Sequence, residues 1–127
     1  MPWSHHIDTR LGAIFTVATG VLTNEDLKAG FAQLFCDPDF HPDLRLFGDY
    51  TGVTGLRIDA ASLASLASKL PFSEKARRAF LVRDPTVAGT SHFYRSNMPS
   101  GHLRVFYYRS EAITWLNEGV ASDKRLT

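Results

Sequence analysis

The sequence is poor in the residue types that announce a specialised chemistry. It has one cysteine, Cys36, in 127 residues. One cysteine forms no intramolecular disulfide and no thiolate metal cluster, which fits a reducing compartment. Cys36 follows a predicted helix and lacks the clustered cations that lower a thiol pKa, so it does not read as a nucleophile. The formal net charge is only +1, which gives no global pull toward nucleic acid or membrane. No apolar run approaches the roughly 18 residues of a membrane helix. The start, "MPWSHHIDTR", is polar where a signal peptide needs an apolar stretch. These absences predict a cytoplasmic protein with no stable membrane association and no nucleic-acid partner.

What is present suits a globular domain. The hydrophobic fraction is 44%, too high for a disordered chain. A chain of this length buries roughly two-thirds of its unfolded surface. We read residues 1–127 as one domain, without internal repeats or linkers.

The order of elements follows from periodicity. His5 to Arg10 and Ala13 to Thr19 read as a β-hairpin, with Leu11 and Gly12 as its turn. Thr23 reads as a helix N-cap, with Asp26 three residues later close to a capping box and Glu25 and Asp26 suiting the positive end of the helix dipole. Leu27, Phe31, Leu34 and Phe35 then form one apolar stripe, and Pro38 and Pro42 end the helix. Leu44 to Tyr50 is the next strand. Asp59 caps a second helix that buries Leu63, Leu66, Ala67 and Leu70. Arg78 to Val82 is a strand, and Thr86 to Asn97 a helix with Val87, Ser91 and Tyr94 inward. His102 to Tyr108 is an alternating strand, with Leu103, Val105 and Tyr107 toward the core. Ser110 caps a last helix that buries Ala112, Trp115 and Leu116. Strand and helix alternate after the hairpin, which predicts an α/β fold: a mixed, mostly parallel sheet of about five strands with about four helices.

The connection after Tyr50, "TGVTGL", contains two glycines. It lacks the lysine of a phosphate-binding loop and the spacing of a dinucleotide fingerprint. Gly52 and Gly55 are better read as turn residues with positive φ than as a phosphate cradle. Asp49 closes a predicted parallel strand, where α/β proteins place ligands. It reads as a general base, a ligand anchor, or an acid that orders the next segment by accepting backbone N–H bonds. His5 and His6 point to opposite faces of a strand, and the other histidines are scattered, so no metal site is expected. No nucleophile–base–acid set and no cofactor motif appears. Arg77, Arg78, Arg83, Arg95, Arg104 and Arg109 lie in a segment whose one acid is Asp84. Pairing with the acidic first half is the expectation, and an anion-attracting end is the alternative.

The middle of the chain, "LFGDYTGVTGLRIDAASLASL", resembles the STAS domain, also called the SpoIIAA-like fold. Asp49 matches that family's strand-end Asp and Val53 its turn Val. Ile58, Asp59 and Leu63 match the start of its helix. "G-VLTNEDL" and "VFYYRSEAITWL" resemble the opening and closing segments of its single-domain bacterial members. The family's regulatory serine would fall at or beside Ala60 and Ala61, which carry no hydroxyl, and Ser62 stands at the family's glycine. With no catalytic set in the sequence, the resemblance implies a non-enzymatic regulatory or protein-interaction module without the usual phosphorylatable serine, acting on an unknown protein partner; a homodimer is the default for a small α/β domain. A carrier of a small apolar ligand or lipid, with Phe40, Phe47, Leu56, Phe72 and Phe80 toward a pocket, is the alternative. An enzyme using Asp49 as acid or base ranks last. The candidate site residues are Asp49, Tyr50, Thr54, Arg57, Asp59, Ser62, Arg83 and Arg95.

Overall fold

The computed structural model describes residues 2–98 and 102–127. Five strands form one sheet in chain order: β1 (Trp3–Asp8), β2 (Ala13–Thr23), β3 (Arg45–Arg57), β4 (Arg77–Leu81) and β5 (His102–Phe106). The β1–β2 hairpin is antiparallel, and every later pairing is parallel. The connections are helices: α1 (Asn24–Cys36), α2 (Ala60–Ser68) and α3 (Pro85–Ser96), followed by α4 (Arg109–Asn117). The α/β class, the hairpin and the mostly parallel sheet are those expected.

Strand alternation splits the core in two. Ile14, Leu46, Phe80 and Leu103 face α1, α2 and α3. Ala13, Phe47, Ala79 and Leu81 face α4, with Trp115 and Leu116. Arg45 locks the second face to the tail. Its guanidinium donates to the carbonyls of Leu11 (2.6 Å), Leu116 (3.2 Å) and Lys124 (2.7 Å).

Several boundaries differ from the sequence expectation. β1 starts at Trp3 rather than His5, because the Trp3 indole seals the core edge against Phe31. Thr9 and Arg10 belong to the turn, where Gly12 takes φ +67°. α3 begins one residue early, at Pro85, capped by Asp84. β5 ends at Phe106 with the β4 ladder, so Tyr107 and Tyr108 are exposed and not core. Ser110 is not a cap: α4 starts at Arg109 after Tyr108, without a side-chain cap bond.

The largest correction concerns residues 51–57. They are strand, not turn. β2 and β3 run on together from Thr19↔Gly52 to Thr23↔Arg57, past the last β3–β4 pair at Asp49↔Leu81. Gly52 and Gly55 do not have positive φ. A Cβ on Gly52 would stand 2.8 Å from Thr19 Cγ2, so this glycine serves close strand packing. The left-handed conformation falls instead on Gly20, φ +73°, where the parallel register shifts.

Candidate functional site

The β2–β3 extension is one wall of a cavity on the helical face of the sheet. Val53 and Leu56 of β3 and Leu22 of β2 line it. Leu27 and Phe31 enter from α1, Leu63 from α2, and Val87, Thr90, Ser91 and Tyr94 from α3. Trp3, Tyr50 and Phe80 complete it. Its volume is about 70 Å³, and its wall is almost wholly apolar. Leu27, Leu56, Ile58 and Thr90 are half-exposed and mark where it reaches the surface.

Local sequence explains how the helices come to overhang this space. Thr23 and Asp26 form the reciprocal capping box that starts α1. Asp59 caps α2 by accepting from Ser62 N–H at 2.7 Å and from the Ser62 hydroxyl at 3.0 Å. Asn24 joins the two helix starts: its amide donates to Asp59 at 2.7 Å, and its carbonyl accepts from Asp59 N–H at 3.3 Å. The Ser62 backbone N–H, then its hydroxyl and the Asn24 amide, hold the Asp59 carboxyl below the usual carboxylate range.

Two of the lining residues are tyrosines with buried hydroxyls. Tyr50 Oη and Thr16 Oγ1 are 3.0 Å apart, and burial pushes the Tyr50 phenol up to about 12. Burial also raises Tyr94, partly offset by the Arg78 charge. Both hydroxyls therefore stay protonated at neutral pH and act as neutral hydrogen-bonding groups. The Tyr50 ring packs edge-to-face with Trp3 and Phe80, at 6.3 and 5.0 Å between centroids.

The candidate residues named from sequence do not gather in one cleft. Asp49 and Tyr50 are adjacent on β3 and point to opposite faces. Tyr50 lines the cavity, while Asp49 is on the α4 side with Phe47. There Asp49 accepts from Thr51 N–H (3.1 Å) and the Thr51 hydroxyl (2.7 Å), so it orders the strand that follows. Thr54 and Arg57 are exposed farther along the same ribbon. Asp59 and Ser62 are engaged with each other at the α2 cap. Arg83 is exposed beyond the end of β4. Arg95 lies at the far end of the sheet, beside Arg77, His102 and Arg104. Of the five apolar residues expected near a pocket, Leu56 and Phe80 line the cavity. Phe47 is across the sheet, and Phe40 and Phe72 pack with Phe35.

Sequence reasoning passed over Trp3 and Val53 as cavity wall. Val53 was hidden by the turn reading, and Trp3 by the late start given to β1. The arginine-rich segment also departs from expectation. None of its arginines pairs with the acidic first half among the described residues: Arg77 holds Glu118 at 2.8 Å, and Arg78 is buried over the Phe72 ring. The acids near the first helix are spent locally, as with Asp37 on His5 at 2.9 Å. Among the described residues, no three His, Cys, Asp or Glu side chains converge as a metal site. No helix among them is long and apolar enough to cross a membrane.

No protein-family model matches the chain, and no curated protein matches it. A solved structure does. An uncharacterised protein of the DUF3478 family with a SpoIIAA-like fold, from Shewanella loihica, superposes with a TM-score of 0.60 at 20% identity, covering 90% of this chain and 93% of its own. The fold is SpoIIAA-like. In this SpoIIAA-like frame the resemblance around Asp49 marks the central strand β3, and the resemblance around Asp59 marks the cap of α2.

Proposed function

We propose that this protein is a non-enzymatic binding module whose cavity takes the hydrocarbon part of a small amphiphilic ligand. The observation that supports this is the apolar cavity under α1, α2 and α3, with Tyr50 and Tyr94 in its lining. An apolar pocket with a few convergent polar groups is the default ligand site of a fold. At about 70 Å³ the cavity holds a few carbon atoms; an engineered cavity of about 150 Å³ takes benzene. A longer chain enters as α2 moves outward, since this nine-residue helix buries only Leu63 and Ala67. Anilinonaphthalenesulfonate fluorescence, with displacement by dodecanoate, tests the site. Leu63→Trp fills the cavity and is expected to abolish the displaceable signal. No displaceable binding in the native protein, with no small molecule retained in native mass spectrometry, rejects the carrier.

A second reading is a protein-docking module, the role suggested by the resemblance. Val17 and Val21 stand 47% and 46% exposed on one face of β2. Sedimentation of the native chain beside a Val17→Asp, Val21→Asp variant tests a second copy as the occupant. A dimer that the variant dissolves supports it. A monomer at every concentration counts against it.

A further inference from the structure

Around the start of β5, on the side of the molecule away from the cavity mouth, a second concavity of about 340 Å³ is lined by Arg77, Arg95, His102, Arg104, Trp115 and Glu118. β5 is the edge strand of the sheet. His102 pairs with Arg77 in the β4–β5 ladder, and Arg104 is two residues on, which puts Arg77, His102 and Arg104 on the α4 face. Arg95 reaches the same space from the last turn of α3.

Three guanidinium groups therefore share one hollow with one carboxylate. That carboxylate is spent: Glu118 accepts from Arg77 at 2.8 Å, and the Trp115 carbonyl accepts from the same Arg77 nitrogen at 2.7 Å. Arg77 and Arg104 also sit over the Trp115 ring, at 5.0 and 5.6 Å from its centroid, so the indole holds the two cations in place. Arg95 and Arg104 have no carboxylate partner among the described residues. Arg95 gains only the helix C-terminal dipole, and Arg104 only the indole. Like charges lining one hollow repel, and an oxyanion bridging them removes that cost while meeting guanidinium donors of matching geometry.

We propose that this hollow is an anion site that takes a phosphate group, with Arg95 and Arg104 as its free donors and Arg77 and Trp115 as the fixed backing. The volume suits a small phosphate ester. A free phosphate and a phospholipid headgroup share this chemistry, and the test separates them.

The ¹H–¹⁵N spectrum of the full-length chain is titrated with inorganic phosphate, at ionic strength held constant with chloride. Saturable shifts are expected at His102, Arg104 and the Trp115 indole N–H. In Arg95→Gln, Arg104→Gln the apparent Kd rises about tenfold or more, the scale of losing charge-assisted hydrogen bonds. Arg10→Gln, exposed in the hairpin turn, leaves it unchanged. Both arginines are exposed, so the double variant keeps its fold; should it not, the wild-type shift map decides alone. Co-sedimentation with phosphatidylcholine vesicles containing phosphatidate forms the second arm. Phosphate binding without vesicle binding supports a soluble ester. Binding to both, lost in the double variant, supports a headgroup. No saturable shift with phosphate, or shifts that map elsewhere, overturns the site.

Discussion

Tyr50 Oη and Thr16 Oγ1 meet at 3.0 Å across the β2–β3 pair, and the Tyr50 side chain also lines the cavity. Thr16 is 1% exposed, so its hydroxyl has no access to water if Tyr50 is lost as a partner. Tyr50→Phe is expected to cost about 1 kcal/mol, the scale of one buried hydrogen bond. It also changes the alkaline limb. Burial, first, raises the phenol from 10.0 to about 12 in the folded state, and the Asp49 charge adds to this. The unfolded chain therefore ionises first. The stability linked to this proton is fully present below about pH 10 and is lost as pH rises toward about 12. Urea midpoints measured from neutral to alkaline pH should fall less steeply in Tyr50→Phe than in the native protein. Parallel curves would show that the phenol is not buried in solution.

Gly30 of α1 is the seat of the Trp3 indole. A Cβ there would stand 2.6 Å from Trp3 Cε3 and 2.9 Å from Cδ2. Alanine in a helix interior normally gains about 1 kcal/mol over glycine. Here the clash falls on the inner atoms of a ring that is 5% exposed and packed on Phe31 at 4.6 Å. Overpacking of this kind costs about 1–3 kcal/mol. Gly30→Ala is expected to be destabilising on balance, with a shifted Trp3 fluorescence maximum. A more stable variant with unchanged fluorescence would mean that β1 yields freely.

Much of this architecture is legible in the chain. Thr23, Asp26 and Asp59 announce their helix starts because capping is local chemistry, and all three do what their spacing implies. The inward sets of α1 and α4 follow from helical periodicity. Residues 51–57 misled because glycine between threonines carries two meanings. Turn chemistry is local, whereas the strand here is imposed by β2 alongside and by Val53 and Leu56 in the core. The site was less legible for the same reason. Asp49 and Tyr50 look like one functional pair, but two-residue alternation sends them to opposite faces. The cavity depends on Trp3, Leu63 and Tyr94, which come from three distant elements.

The caps that overhang the cavity can be tested separately. Thr23→Ala removes the acceptor for Asp26 N–H, at 3.2 Å, and is expected to cost about 1 kcal/mol.

At α2, Asp59→Asn keeps a capping oxygen and removes the charge, whereas Asp59→Ala removes both. The Asp59 carboxyl is held low in the folded state, chiefly by the Ser62 N–H. Its contribution is therefore present above the unfolded pKa, near the ordinary Asp value of 3.8, and is lost as pH falls through the lowered folded value. Thermal melts across acid pH should show a shallower acid limb in both variants. At neutral pH Asp59→Ala should melt lowest. Identical behaviour of the two at neutral pH would mean that the cap, as distinct from the charge, adds nothing.

Arg78 sits in β4 at 3% exposure, with its guanidinium 4.6 Å above the Phe72 ring and its Nε without a hydrogen-bond partner among the described residues. Desolvation lowers its pKa, so the charged form is disfavoured where it stands. Opposing this is the attraction to the Phe72 face, about 1–2 kcal/mol when desolvated. An orphaned buried donor costs about 1–3 kcal/mol. A buried charge lacking a carboxylate adds to that cost. The unfavourable side is larger. Arg78→Met keeps the length and packing of the stem and removes both penalties. It is expected to leave the urea midpoint unchanged or raise it, while Arg78→Ala, which also opens a void beside Phe72, lowers it. A methionine variant as unstable as the alanine variant would show that the guanidinium is bonded in solution and holds β4 in place.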